Sequence, residues 1–159
     1  MSDASLTASD ELLAIQPPAG TEEPELFASR LQREGLELRR GSLQTLQINV
    51  GKLCNQACHH CHVDAGPKRT EVMSRDTVDR ILQYLAATDI PVVDITGGAP
   101  EANPSFRHLV RGIRRLDRHI MVRCNLTIIL EPGQEDLPRF YTDNGTELIC
   151  SLPCYLEDN

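Results

Sequence analysis

The chain has 159 residues, 40% apolar and 25% charged, a globular composition that excludes a disordered or fibrous protein. Its net charge of −7 arises almost wholly in residues 1–25, where six acids meet no base, and aromatic residues are 4% with no Trp. Neither a phosphate-binding nor a base-stacking surface is expected, so nucleic acid is not an expected partner. No apolar run approaches a membrane span, and the first residues have neither the basic nor the apolar region of a secretory signal. A cytoplasmic chain with no membrane partner is expected.

Residues 1–23 mix Ser, Thr, Ala, Pro and acids without apolar periodicity, as a flexible tail does. Pro24 opens a short helical stretch with Phe27 and Leu31 four apart, closed near Gly35. The expected organisation is a tail with a short helix over 1–40 and a folded body over 41–159. Leu46, Ile48 and Val50 alternate with Gln47 and Asn49, the two-residue period of a strand, and Gly51 ends it. Ser74 is an N-cap ahead of Val78, Ile81, Leu82 and Leu85, the stripe of an amphipathic helix. Pro91 stops that helix, and 92–96 reads as a short buried strand ending at Gly97-Gly98. Asn103-Pro104 predicts an N-cap with proline at the first helical position, ahead of Phe106, Leu109, Val110 and Ile113. A third strand is predicted over 120–124 and a short helix over 134–142, started or distorted by Pro138. After the Asn144-Gly145 turn comes a fourth strand over 148–152.

The order β-α-β-α-β-α-β calls for parallel strands with crossover helices, in an open sheet or part of a barrel. In either, the C-terminal strand ends carry the chemistry. There stand three cysteines after strand one, Gly97-Gly98 after strand two, Asn125 after strand three, and Ser151 to Cys154 at strand four. The sequence stops straight after that strand with no covering helix, so a chain cut short is expected.

Six cysteines stand at 54, 58, 61, 124, 150 and 154, and a reducing compartment favours metal binding or catalysis over disulfides. Cys54-Asn-Gln-Ala-Cys58-His-His-Cys61-His62 is a C-x3-C-x2-C run. Three thiolates on one loop can each reach one iron of a cubane, leaving the fourth iron open, as in catalytic metal sites. Two other readings stand beside it. Cys58-His-His-Cys61-His62 satisfies the c-type haem signature, although no export signal is present and Cys54 would then have no role. Zinc could take the three cysteines with His59, His60 or His62.

C-x3-C-x2-C after the first strand and Gly-Gly after the second resemble the radical S-adenosylmethionine (SAM) enzymes. The resemblance implies a partial (β/α) barrel, here its first four strands. It implies a [4Fe–4S] cluster on Cys54, Cys58 and Cys61 that binds SAM and cleaves it to a 5′-deoxyadenosyl radical, with a reducing electron donor as partner. Thr96-Gly97-Gly98-Ala99-Pro100-Glu101 resembles the Gly-Gly-Glu-Pro motif, with Ala99 where Glu is usual and an acid at Glu101. Gly97, Gly98 and Ala99 are thereby expected to meet SAM. His60 is expected to meet its adenine, and Asn125 and Ser151 to help hold it. Ser151-Leu-Pro-Cys154 is similar to a Ser-Leu-Asp-Gly motif, with Pro153 replacing the Asp. The segments INVGKLCNQACHHCHVDAGPKRTE, TGGAPEANPSF and SLPCY resemble the arsenosugar-biosynthesis radical SAM proteins over residues 36–159, their N-terminal part. That resemblance implies a methylated trivalent arsenical as the small-molecule substrate. Cys154 at the mouth of the site is then a candidate thiol for it, by the softness match between thiolate and arsenic. A noncatalytic zinc or iron–sulfur fragment is the alternative, and an electron-transfer module would need a fourth ligand from Cys124, Cys150 or Cys154.

Overall fold

The computed structural model describes residues 25–151. Its contacts divide the chain into two units, Met1–Gly41 and Ser42–Asn159. In the first unit, α1 (Phe27–Arg33) buries no residue, and Gly35, at φ +65°, follows its C-terminal end.

The second unit holds β1 (Thr45–Asn49), α2 (Arg75–Ala86), β2 (Val92–Thr96), α3 (Phe106–Arg115), β3 (His119–Cys124), α4 (Leu137–Asp143) and β4 (Thr146–Cys150). The strands are all parallel, and their order in the sheet, β1-β2-β3-β4, is their order in the chain. A doubly wound sheet reverses its strand order at a switch point. No such reversal occurs among the described residues, so the sheet is the wall of a partial barrel. None of the helices in the described residues is long and apolar enough to cross a membrane.

Local chemistry explains most element limits. The Ser74 hydroxyl accepts the Thr77 N–H at 3.2 Å and starts α2, whose Val78 and Leu85 are buried. Pro138 stands in the first turn of α4 and starts that helix. The helix predicted from Asn103-Pro104 begins instead at Phe106. Asn103 does accept the Ser105 N–H at 2.7 Å, but Phe106 N–H bonds the Asn103 carbonyl at 2.9 Å, a tighter turn than an α-helix makes. The Asn103 amide nitrogen donates to the Val50 and Met73 carbonyls at 3.0 and 3.1 Å, joining the end of β1 to the start of α2. The fourth strand runs over Thr146–Cys150, two residues before its predicted limits, because Thr146 and Glu147 pair with Ile120 and Met121. Two short 3₁₀ turns, Pro100–Ala102 and Thr127–Leu130, follow β2 and β3.

The register separates the sheet's faces. Leu46, Val93 and Ile120 lie side by side, as do Ile48, Ile95, Val122 and Leu148. These rows pack with Phe106, Leu109, Ile113, Leu137 and Phe140 of the helices. Each such fully buried side chain contributes roughly 1.5–3 kcal/mol. The intervening row, Gln47, Asp94, Met121 and Glu147, belongs to the other face.

Candidate active site

The three cysteines lie in the connection from β1 to α2, which is held by its own backbone bonds. Lys52 N–H donates to Glu71 at 2.8 Å, Gly66 N–H to Lys52 at 3.0 Å, and Cys54 N–H to Gly66 at 3.2 Å. The connection is also laced to the turn after β2. Gly98 N–H donates to the Gly51 carbonyl and Ala99 N–H to the Leu53 carbonyl, both at 2.9 Å. This approach requires the glycine pair. A Cβ on Gly98 would stand 2.5 Å from the Leu53 oxygen and 2.9 Å from Cys54 Cβ; one on Gly97, at φ +154°, would stand 2.8 Å from the Gly51 oxygen.

One cavity of about 180 Å³ is bordered by all three cysteines, by Gly97 and Gly98, and by His60, Asn125 and Ser151. Its volume is below the ~300–1,000 Å³ of an enclosed small-molecule site. On the β4 side the cavity is bordered by Ser151, the last described residue. Ala99 is not part of the wall: it is buried, and its N–H is taken by Leu53. Cys154 lies outside the described residues. His62 borders both this cavity and a larger surface groove of about 900 Å³ with Lys52, Glu71 and Ser74, which no cysteine lines.

N–H donors aim at the sulfurs. Cys54 Sγ receives the Gln56 N–H at 3.4 Å and the Asn125 amide at 3.6 Å, and Cys61 Sγ receives the Ala65 N–H at 3.3 Å. Hydrogen bonds to these sulfurs would tune the potential of a cluster held there. Cys54 is buried, whereas Cys58 and Cys61 are partly exposed. Among the described residues no three His, Cys, Asp or Glu side chains converge as a single metal ion requires. A cubane spreads its thiolates over separate irons, so Cys54, Cys58 and Cys61 would suit a [4Fe–4S] cluster better than zinc.

Among the described residues, the other two cysteines, Cys124 and Cys150, do not border the cavity. Cys124 points into the core at 2% exposure, where burial and then the Glu101 charge push its thiol up to about 12. Its side chain belongs to the core and does not border the cavity. Cys150 is exposed and does not border the cavity. Glu101 is buried away from the cavity as well. Its Oε1 accepts the Tyr141 hydroxyl at 2.5 Å, tying the turn after β2 to α4, and burial beside Glu101 drives the Tyr141 phenol well above its ordinary value.

Sequence reasoning missed Asn55. Its Oδ1 accepts the Asn125 amide at 2.8 Å and its own amide donates to Thr127 Oγ1 at 2.9 Å, while Asn125 Oδ1 accepts the Ile128 N–H at 3.0 Å. These bonds hold the turn in which Leu126 takes φ +60°, a conformation costing roughly 1–2 kcal/mol for an L-residue. Only its place directly after Cys54 could have signalled Asn55 in the sequence.

The family model "Radical SAM superfamily" matches residues 48–147, well over half of the chain. A Saccharolobus islandicus protein named "Probable GTP 3',8-cyclase" is 27% identical over 74 residues, 46% of this chain and 24% of that protein. A Methanothermobacter marburgensis protein of the same name is 26% identical over 111 residues, 69% of this chain and 35% of that protein. The chain thus spans between about a quarter and a third of the length of these relatives. With the parallel barrel wall, the three-cysteine loop and the family match together, the chain belongs to the radical SAM superfamily, a class of enzymes that works with a [4Fe–4S] cluster and SAM.

Proposed function

We propose that Cys54, Cys58 and Cys61 hold the cluster and that Gly97, Gly98, His60, Asn125 and Ser151 hold SAM, within a barrel portion formed by residues 41–159. The observation that carries this reading is the single cavity bordered by all eight residues. When bound, the cluster supplies single electrons from a reducing donor, and SAM supplies a 5′-deoxyadenosyl group. The chain's own part is to bind and orient. Gln56, Ala65 and Asn125 donate to sulfur, the glycine pair brings bare backbone to the cavity wall, and the apolar rows behind the sheet keep that wall rigid. Ala99 acts by fastening the loop rather than by touching SAM.

For the substrate we read a methylated trivalent arsenical, in cytoplasmic arsenosugar formation, on the resemblance of residues 36–159 to that group of proteins. Cys154 is its proposed thiol. A second reading, GTP cyclisation, rests on the names of the two relatives. Anaerobic reconstitution tests both layers. About four irons and four sulfides per chain are expected, with loss in each of Cys54→Ala, Cys58→Ala and Cys61→Ala. Stoichiometric zinc without sulfide, or full iron in all three variants, overturns the cluster. SAM consumption stimulated by a dimethylated trivalent arsenical and not by GTP supports the arsenical; the reverse overturns it. In Cys154→Ser, coupling of the arsenical is expected to fall while SAM cleavage persists.

A further inference from the structure

The polar face of the sheet carries a second built feature. Asp94 of β2, whose side chain is only 6% exposed, receives Arg123 of β3 through Nε at 3.1 and 3.2 Å and through Nη2 at 2.8 Å. Gln47 of β1 donates to the same carboxylate at 2.8 Å. Three strands thus converge on one carboxylate, and that carboxylate is fully used in aiming one guanidinium.

The guanidinium is not fully used. Its side chain is 47% exposed, and among the described residues Nη1 makes no hydrogen bond. Arg123 is also the only Lys or Arg in the four strands. It stands two residues before Asn125, about 7 Å along the strand from a residue that borders the cavity. An ordinary cross-strand ion pair needs neither the third strand's amide nor an exposed remaining edge. A guanidinium locked on one edge and open on the other matches an oxyanion in geometry, and it loses little side-chain entropy on binding one.

The geometry points to Arg123 as an oxyanion-binding residue, oriented by Asp94 and Gln47, that fixes a carboxylate or phosphate on the polar face of the sheet, two residues before the cavity-bordering Asn125. It deepens the proposed function, resting on that reading only for which molecule brings the oxyanion: SAM through its carboxylate, or the second substrate.

The test uses the purified 159-residue chain. Without iron, ¹⁵N signals of the arginine side chains are followed during titration with inorganic phosphate. After anaerobic reconstitution, SAM affinity is measured by calorimetry. Both are repeated in Arg123→Gln and in Arg123→Lys, which keeps the charge on Asp94 but loses the fork. The expected result is a shift of the Arg123 signal and a loss of at least ~tenfold in oxyanion affinity in Arg123→Gln, with an intermediate loss in Arg123→Lys. Unchanged SAM affinity then assigns the oxyanion to the second substrate, whereas a parallel ~tenfold loss of SAM affinity assigns it to SAM. An unmoved Arg123 signal, with SAM affinity equal in all three proteins, overturns the site. If Arg123→Gln does not fold, the wild-type titration and Arg123→Lys decide the question. Oxyanion binding in a chain that takes up no iron and sulfide would sink the cluster reading while leaving this one standing.

Discussion

On the helix-packed face of the sheet, Val93, Ile95, Ile120 and Val122 are at most 1% exposed and belong to one apolar cluster. On the opposite face the same two strands present Met121 beside Asp94 and Arg123, which are joined by an ion pair and hydrogen bonds with Arg123 partly open. Fully buried parallel strands read as nearly continuous apolar runs, so Gln47, Asp94 and Arg123 on this face argue against a second core. Fold and chemistry are written into alternate residues of the same five- or six-residue segments. A one-residue slip in register would exchange them.

The contrast can be broken from either face. The largest effect is expected on the apolar side: Phe106→Ala should cost about 3–5 kcal/mol, read as a lower urea midpoint, since Phe106 is 1% exposed and packs on Phe140 and Tyr141. A cost under about 1 kcal/mol would mean that this face is not the core. Gly98→Ala comes next. Its methyl meets backbone at Leu53, so a loss of about 1–3 kcal/mol and a reduced iron content after reconstitution are expected together. Stability lost with iron content intact would separate the glycine from the cysteine loop.

On the polar side, Asp94→Asn should cost less, about 1–2 kcal/mol, because its Arg123 partner is half exposed. The hydrogen bond from Arg123 holds the Asp94 carboxyl below its ordinary value. Its contribution is therefore complete above the unfolded aspartate value and is lost as pH falls through the lowered folded value. Acid titration of stability should show that component in wild type and not in Asp94→Asn; identical profiles would remove the pair from the polar face's account. The smallest effect needs no mutation. At pH 8, iodoacetamide should label exposed Cys150 and leave Cys124 untouched until the chain unfolds, as a buried thiol pushed up to about 12 requires.

Much of this was legible in the sequence where the signal is local. The limits of β2, the Ser74 cap and the stripe of α2 follow from a proline, a hydroxyl and a period, and C-x3-C-x2-C is a spacing within one loop. Signals that depend on register were not legible. Asp94 and Arg123 are 29 residues apart and meet only because β2 and β3 align Asp94 with Met121. Thr146 and Glu147 fall before the strand predicted over 148–152, and only the pairing with β3 places them in it. Gly97-Gly98 was readable as a close approach, but the partner of Gly98 proved to be the cysteine loop itself, which only the backbone bonds from Gly98 and Ala99 disclose.

That lacing bears on how freely such a site can change by descent or by design. Because Gly51 and Leu53 supply the carbonyls that Gly98 and Ala99 occupy, the cysteine loop and the glycine turn form one interchangeable part, not two. A loop transplanted from another protein with a different path at Leu53 would arrive beside a turn unable to receive it. Successful grafts should therefore carry residues 51–54 and 97–99 across together, and lineages that alter one segment should alter the other in step.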